Sequence, residues 1–285
     1  MIELTRTAHA KLNLTLDVLG KRADGYHDLS MVMQEISLGD TVTIQLETGK
    51  PWAVFCDAVE IPCDDSNLAV KAARLFFDAA NIDCGGYAVT LQKRTPSCAG
   101  MGGGSADGAA VLRLLYDHYG APFPEEELYR LAEQTGADVP FALFGGTALA
   151  EEKGQILQRL PNMPACAIVL CKPSFPVSTP ELFREIDRQE IRVRPDTAGM
   201  IRALEESRLD QVAQRLCNVF TPVISEKHPE LNKIGAVLKA NGALGVSMTG
   251  SGPTMFGIFT DSAAAQKAYS ILKQEYIDTF LTEPV

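Results

Sequence analysis

Four glycines lie within five positions of the chain, and a serine follows them directly. Residues 96–107 read P-S-C-A-G-M-G-G-G-S-A-D. Glycines let successive backbone N–H groups turn toward one anion without hindrance from a Cβ atom. A helix that follows adds unpaired N-terminal donors and the positive end of its dipole. The segment therefore predicts a phosphate-binding loop, with a nucleoside triphosphate as its ligand.

The elements around this loop favour phosphate binding over a simple chain reversal, which a glycine cluster alone would also explain. Residues 87–94 alternate as a half-buried strand does, and Pro96 ends that strand. Residues 106–119 carry an apolar stripe at helical spacing, formed by Ala109, Leu112 and Leu115. The loop has neither the Gly-Lys-Ser/Thr of a Walker A sequence nor the dinucleotide pattern G-x-G-x-x-G.

The first strand carries polar groups on one face. Over residues 8–18, alanine, leucine and valine alternate with polar residues, so Lys11 and Asn13 point the same way, two residues apart. A solvated face of a half-exposed sheet is the alternative explanation of this pattern.

Asp138 lies in the segment T-G-A-D-V-P, residues 135–140. Without other information, this segment predicts a helix start with Asp138 as the N-cap and Pro140 in the first turn. A carboxylate fixed at a helix start can also act as a general base, so the two roles are compatible.

Loop, strand and Asp138 together resemble the GHMP small-molecule kinases, whose phosphate loop reads P-x-x-x-G-x-G-G-G-S. Further segments of the resemblance, which spans about residues 6–260, are A-H-A-K-L-N-L (8–14), G-K-R-A-D-G-Y-H (20–27), G-A-D-V-P-F (136–141) and M-T-G-S-G-P (248–253). The R-A-D-G-Y-H loop resembles members of the family that phosphorylate a hydroxyl group of a cytidine-diphosphate substrate. Cys98 and Met101 stand where the family pattern has a small or branched apolar residue. This departure does not change the resemblance to the family.

The resemblance implies ATP and Mg²⁺ as cofactors and gives roles to particular residues. Lys11 and Asp138 form the catalytic pair. The ATP-binding residues are those of the loop: Pro96, Ser97, Cys98, Ala99, Gly100, Met101, Gly102, Gly103, Gly104, Ser105 and Ala106. The metal ligands stay open, because the Ser105 hydroxyl could bind magnesium or cap the helix after the loop.

The resemblance also implies that Asn13, Tyr26, His27 and Phe183 bind the substrate. Tyr26 and Phe183 would stack on cytosine, and His27 would read the edge of the base. Core packing is the default for a lone phenylalanine, and residues 249–253 could line the cleft or form only a tight turn.

Two other functions remain open at this point. Another GHMP kinase, for homoserine, mevalonate or a sugar, would have no reason to carry the R-A-D-G-Y-H loop. A non-catalytic nucleotide-binding member would be expected to have lost Lys11 or Asp138, and both are present.

The alternation of strands and helices predicts an α+β fold with two lobes, residues 1–160 and 165–285, joined by a linker at 161–164. The resemblance implies the two-lobed GHMP kinase fold, with a ribosomal-protein-S5-like N-terminal domain and a ferredoxin-like C-terminal domain.

Composition limits the partners and the compartment. The formal net charge of −10 over 285 residues argues against nucleic acid or an anionic membrane as a partner. No signal-like segment or long apolar run is present, and seven scattered cysteines without metal spacing read as reduced. We therefore expect a cytoplasmic enzyme, a monomer or weak homodimer, that acts on a small molecule.

Overall fold

The computed structural model of the chain describes residues 2–47, 49 and 51–285. The strands are β1 (Ile2–Lys21), β2 (His27–Leu46), β3 (Ala53–Cys56), β4 (Tyr87–Gln92), β5 (Thr147–Glu152), β6 (Ile156–Arg159), β7 (Ala167–Lys172), β8 (Cys217–Asn218), β9 (Gly245–Met248), β10 (Met255–Phe259) and β11 (Asp278–Thr282). The helices are α1 (Leu68–Ala80), α2 (Gly103–His118), α3 (Glu125–Thr135), α4 (Val139–Phe144), α5 (Thr179–Ile186), α6 (Thr197–Glu205), α7 (Leu209–Gln214), α8 (Thr221–Lys227), α9 (Glu230–Ala240) and α10 (Ser262–Lys273).

The chain forms two compact units, and neither is one continuous stretch of sequence. The first unit contains residues 1–10, 39–97 and 102–145. The second contains residues 11–38, 98–101 and 146–285. Strands β1 and β2 each run through both units, because the divisions fall inside them. The sequence-based boundary at residues 160–165 stays a prediction.

The first unit packs helices against a sheet with the order β3-β4-β2-β1. Strand β4 runs antiparallel to β2, with Tyr87 opposite Leu46, and parallel to β3. Helices α1 and α2 pack against each other and, with α3, bury the core on this sheet. Phe76, Val89 and Leu112 are fully buried in that core. The apolar stripes predicted for residues 87–94 and 106–119 are the ones that form it.

The second unit contains an antiparallel sheet with the order β11-β7-β10-β9. Numbered along the chain, this order is 4-1-3-2, and α9 and α10 pack on the sheet. This is the ferredoxin-like arrangement that the sequence analysis predicted for the C-terminal half. In the same unit, β5 pairs with β2 and β6, and β8 pairs in parallel with β1.

The second half of β1, residues 11–21, and the first part of β2, residues 27–38, belong to the second unit. Strand β2 begins at His27, directly after the turn at residues 22–26. Its first part pairs with β5, so the R-A-D-G-Y-H loop becomes the turn between two long strands. No helix in the described part of the chain is long and apolar enough to cross a membrane.

Gly39 allows β1 and β2 to approach each other closely in the first unit. A Cβ atom added at Gly39 would lie 2.6 Å from the carbonyl oxygen of Ala8. We predict that Gly39→Ala lowers the free energy of unfolding by roughly 1 to 3 kcal/mol, because backbone would have to move. Urea unfolding measures this loss.

Gly20→Ala is the matched control, since a Cβ atom at Gly20 meets nothing within 4 Å. Its unfolding free energy should equal that of the wild type or exceed it slightly. Equal stability of both variants would contradict the close approach.

Candidate active site

The polar face of β1 is buried in the second unit. Lys11 and Asp17 are 7% and 6% exposed, and Asn13 and Thr15 are fully buried. The Thr15 hydroxyl accepts a hydrogen bond from the Val32 N–H at 3.0 Å. The alternative of a solvated polar face is therefore wrong, because other parts of the second unit cover these side chains.

Lys11 is bound to the glycine loop through its backbone and to Asn13 through its side chain. The Lys11 N–H donates to the carbonyl oxygen of Met101 at 3.0 Å. The ammonium group donates to Asn13 Oδ1 at 2.7 Å. The predicted catalytic lysine and residues 98–101 of the loop thus share one unit and a direct hydrogen bond.

The Asn13 amide also fixes the turn that follows β9. Asn13 Oδ1 accepts a hydrogen bond from the Gly250 N–H at 3.0 Å. The backbone N–H of Asn13 donates to the Thr249 hydroxyl, also at 3.0 Å. The Nδ2 group donates to the sulfur of Met31 at 3.3 Å. The substrate-binding role of Asn13 stays a prediction; the hydrogen bonds of this side chain go to Lys11, Gly250, Met31 and, at 3.4 Å, the Thr249 hydroxyl.

The segment 249–253 is a tight turn between β9 and β10, closed by the Thr249 N–H donating to Thr254 O at 3.0 Å. It packs against the glycine loop, since a Cβ atom at Gly100 would lie 2.3 Å from the Thr249 carbonyl oxygen. Gly100 also has φ +72°, so both the close contact and the backbone conformation at this position require glycine. The segment is a turn that contacts the glycine loop, and its place in the substrate cleft stays a prediction.

Helix α2 begins earlier than residue 106, the start that its apolar stripe predicted. It starts at Gly103, with Gly102 as N-cap at φ 69°, and the Ala106 N–H donates to the Gly102 carbonyl oxygen at 2.8 Å. The N–H groups of residues 103–105 come before the first intrahelical donor, so the helix itself offers them no carbonyl acceptor. Such a helix end suits an anion, and the binding of phosphate there stays a prediction.

Ser105 lies inside the first turn of α2, so it is not the N-cap of the helix that follows the loop. The capping explanation of this hydroxyl is therefore wrong, because the helix starts two residues before it. A Cβ atom at Gly103 would lie 2.9 Å from the Thr95 side chain, whereas one at Gly104 would meet nothing within 4 Å. Gly103 thus serves packing, and Gly104 leaves open space beside the helix end.

A buried ion cluster in the first unit joins the two ends of the glycine loop. The Lys93 ammonium group donates to Asp40 Oδ2 at 2.5 Å and to Asp107 Oδ2 at 2.6 Å. Asp40 Oδ1 accepts from the N–H groups of Arg94 and Thr95, at 2.6 and 2.7 Å. The cluster joins the end of β4, just before the loop, to the second turn of α2, just after it.

Two carboxylates share one ammonium group in this cluster. Burial raises the pKa of Asp107 to about 7, Lys93 acts against this rise, and the carboxylate of Asp40 adds to it. Burial lowers the pKa of Lys93, but Asp107 and Asp40 outweigh that effect and raise it overall. Asp107 Oδ1 has no hydrogen-bond partner among the described residues. Lys93 therefore stays charged, and Asp107 is the member that titrates near neutral pH.

Asp138 is the N-cap residue of α4, and Pro140 lies in the first turn, as the sequence predicted. The Asp138 side chain accepts no capping hydrogen bond, so its carboxylate is not committed to the helix end. Asp138 belongs to the first unit and Lys11 to the second. Their catalytic pairing stays a prediction.

The predicted substrate residues His27 and Phe183 meet in the second unit. Their rings stack with centroids 4.6 Å apart and an interplanar angle of 23°. Tyr26, in the same loop as His27, is 63% exposed, and the Lys153 ammonium group lies 4.7 Å from the centre of its ring. The cytosine sandwich between Tyr26 and Phe183 stays a prediction.

Sequence reasoning missed several residues that support these groups. Asn218 donates through Nδ2 to the carbonyl oxygens of Met248 and Gly250, both at 2.9 Å. Asp187 binds His27 at 2.7 Å, and it lies four residues after Phe183. That spacing puts Phe183 and Asp187 on one helix face, a signal that the sequence did offer.

Family matches agree with this arrangement. The GHMP kinases N terminal domain matches residues 67–146, and the GHMP kinases C terminal domain matches residues 200–278. Crystal structures of homoserine kinase from Cytophaga hutchinsonii and of mevalonate kinase from L. major have TM-scores of 0.76 and 0.73 at 18% and 17% identity. Both alignments cover 99% of this chain, and they cover 94% of the homoserine kinase and 95% of the mevalonate kinase. These two similarities show the fold.

Relatives with higher sequence identity indicate which kind of GHMP kinase the chain is. A Clostridium botulinum (strain Langeland) protein named 4-diphosphocytidyl-2-C-methyl-D-erythritol kinase is 42% identical over 98% of this chain and 99% of its own length. A crystal structure of 4-(cytidine 5'-diphospho)-2C-methyl-D-erythritol kinase has a TM-score of 0.83 at 30% identity, with 99% of both chains covered. The chain therefore belongs to the GHMP kinase family and, within it, to the 4-diphosphocytidyl-2-C-methyl-D-erythritol kinases. The predicted two-domain GHMP kinase fold is confirmed.

The ion cluster gives a pH-dependent prediction. The pKa of Asp107 in the folded chain, about 7, lies above its ordinary value of 3.8. The protonated carboxyl is therefore favoured by folding, and this contribution to stability is complete below the ordinary pKa and lost as the pH rises through 7. We predict that Asp107→Asn gains stability relative to the wild type across this range, measured by urea unfolding at several pH values.

Asp117→Asn is the control for the loss of one carboxylate from α2, because the Asp117 side chain is 56% exposed. Its unfolding free energy should follow that of the wild type at every pH. If the unfolding free energies of Asp107→Asn and the wild type changed with pH in parallel, the role of Asp107 would be refuted.

Proposed function

We propose that this chain transfers the γ-phosphate of ATP to the 2-hydroxyl group of 4-diphosphocytidyl-2-C-methyl-D-erythritol, a step of the non-mevalonate isoprenoid pathway. The observation that carries the proposal is the hydrogen bond between the Lys11 N–H and Met101 O, which ties the buried lysine to the glycine loop. A kinase needs a cation close to the transferred phosphoryl group, and this bond supports that role for Lys11. The name shared by relatives over 98% of the chain supports the choice of substrate.

The chemistry proposed for the catalytic pair is general base catalysis with charge neutralisation. Asp138 accepts the proton of the substrate hydroxyl as that oxygen attacks the γ-phosphorus in line with the leaving ADP. Lys11 neutralises charge at the acceptor oxygen and orients Asp138. The phosphoryl transition state is loose and carries its charge on the equatorial oxygens, so positioning and donors contribute most of the catalysis.

The nucleotide is proposed to bind through the loop and the start of α2. The N–H groups of Gly103, Gly104 and Ser105 would donate to phosphate oxygens at the helix end. The open space beside Gly104 fits a phosphate group, since a Cβ atom there meets no protein atom within 4 Å.

Magnesium is compatible with these residues as an ion that arrives with the nucleotide. Among the described residues, no group of three or more His, Cys, Asp or Glu side chains could form a metal cage. Magnesium in kinases is commonly held by one or two protein ligands together with substrate phosphates, so such a cage is not required. The Ser105 hydroxyl in the first turn of α2 is the candidate ligand. When bound, the ion neutralises charge on the β- and γ-phosphates.

A coupled ADP-release assay tests the proposed function. We expect ATP-dependent ADP release with 4-diphosphocytidyl-2-C-methyl-D-erythritol, and little with mevalonate or homoserine. Phosphorylation of homoserine or mevalonate instead would assign the chain to another activity of the same fold. ATP binding without turnover of any of the three substrates would refute the proposal.

The proposed pair predicts separate effects on turnover and on binding. Asp138→Asn should lower kcat by roughly 100-fold or more and keep ATP and substrate affinity within several-fold, because it removes only the base. Lys11→Ala should also lower kcat, and the double variant should lose less than the product of the two single losses. Steady-state kinetics and calorimetry give these quantities.

Glu133→Gln controls for removal of an exposed carboxylate from the same unit and should leave kcat unchanged. Near-normal turnover of Asp138→Asn would exclude Asp138 as the base. Full additivity of the two losses would argue against a coupled pair.

A further inference from the structure

His27 is fixed by an aspartate that the sequence analysis did not single out. His27 Nε2 and Asp187 Oδ1 are 2.7 Å apart, and the His27 side chain is 7% exposed. The second oxygen of Asp187 accepts from the Lys21 ammonium group at 2.8 Å. Phe183 stacks on the imidazole, and its position four residues before Asp187 places both on one face of α5. The imidazole is thus held by a ring on its face and a carboxylate at its edge.

Asp187 is the C-cap residue of α5, where a negative charge is unfavourable. The C-terminal end of a helix carries partial negative charge, which favours a cation there. Hydrogen bonds from Lys21 and His27 hold the pKa of Asp187 below its ordinary value, so the carboxylate is ionised at neutral pH. A carboxylate kept at this unfavourable place is consistent with a function in holding His27.

An ionised carboxylate can only accept hydrogen bonds, so Nε2 must carry the proton in this pair. In a neutral imidazole with Nε2 protonated, Nδ1 is an acceptor. We propose that Asp187, itself oriented by Lys21, is a positioning residue that fixes this tautomer of His27, and that His27 thereby selects cytosine over uracil. This inference rests on the proposed function, in which His27 reads the edge of the base.

The two pyrimidines differ at the atom that such an acceptor would meet. Cytosine presents an exocyclic amino group, a donor, where uracil presents a carbonyl oxygen, an acceptor. An unprotonated Nδ1 would accept a hydrogen bond from the amino group of cytosine. Opposite uracil, it would face a carbonyl oxygen, and two acceptors cannot form a hydrogen bond. A site built to bond one group rejects the analogue that leaves its polar atom unpaired.

The surroundings of His27 admit a planar base. The centroid distance of 4.6 Å between His27 and Phe183 is that of an offset stack, so the imidazole covers only part of the phenyl face. A base in the plane of the imidazole would extend over the rest of that face. His27 and Asp187 also line a cavity of about 350 Å³, together with Lys21, Glu190 and Arg194.

The tautomer is tested directly by ¹⁵N NMR of the protein labelled at histidine. The chain has four histidines, and His27→Gln identifies the signals of His27 by their loss. We expect the wild-type spectrum to show a proton on Nε2 and an unprotonated Nδ1, and Asp187→Ala to show a mixture of tautomers. A proton on Nδ1 in the wild type at neutral pH would overturn the inference.

Binding of cytidine diphosphate and uridine diphosphate tests the consequence. Calorimetric titrations are run with a non-hydrolysable ATP analogue at saturation, so that neither pyrimidine nucleotide enters the ATP site. The wild type should prefer cytidine diphosphate, and Asp187→Ala should reduce the ratio of the two dissociation constants by roughly five- to tenfold. A merely structural role would weaken both nucleotides equally and leave the ratio unchanged.

Two further variants separate orientation from charge. Asp187→Asn keeps an acceptor oxygen for Nε2 and should retain most of the discrimination, whereas an effect of charge alone would make it resemble Asp187→Ala. Glu181→Gln removes a carboxylate from the same helix, α5, and the Glu181 side chain is 67% exposed. This control should discriminate as the wild type does.

The outcomes distinguish failure of the inference from failure of the proposed function. A wild type that shows no ADP release with the cytidine substrate and no preference for cytidine diphosphate would refute both. A wild type that is active and selective, with an Asp187→Ala variant of equal selectivity, would refute only the role of Asp187. Should Asp187→Ala fail to fold, a proton on Nδ1 in the wild-type spectrum at neutral pH, or a loss of selectivity in Asp187→Asn, would still overturn the inference.

Discussion

The side-chain amide of Asn13 is the interaction on which the interior of the second unit depends. Its oxygen accepts hydrogen bonds from the Lys11 ammonium group at 2.7 Å and from the Gly250 N–H at 3.0 Å. Burying an ammonium group costs several kcal/mol unless hydrogen bonds compensate it, so each acceptor near Lys11 matters. Since the same oxygen holds the turn after β9, and that turn packs on Gly100, one amide aligns three separate segments.

Periodicity predicted the elements that carry the site, but it could not predict what covers them. The alternation in β1 placed Lys11 and Asn13 on one face, which the structure confirms. The partners of that face are far away in sequence, as with the Thr249 hydroxyl, 236 residues from the Asn13 N–H that it accepts. The alternation within one strand contains no information on such partners. A buried polar face and a solvated one therefore give the same sequence pattern.

The unpredicted parts of the first unit have a similar cause. The start of α2 was expected at residue 106 because apolar spacing begins there, whereas the helix begins among glycines that have no side chain to show a period. In the sequence, Lys93, Asp40 and Asp107 look like unrelated surface charges. The fold brings the Lys93 ammonium group within 2.6 Å of both carboxylates. The divisions inside β1 and β2 were equally hidden, since each is one uninterrupted strand.

The charge of the chain sets a limit on how it can bind a triphosphate. A net charge of −10 repels such an anion, although salt confines this repulsion to about 8 Å at physiological ionic strength. Lys93, close to the loop in sequence, is already neutralised by two carboxylates and 6% exposed, so it contributes little attraction. The N–H groups at the start of α2 are uncharged and need no counter-ion. Short-range donors of this kind can therefore bind phosphate in an acidic protein without adding buried charge.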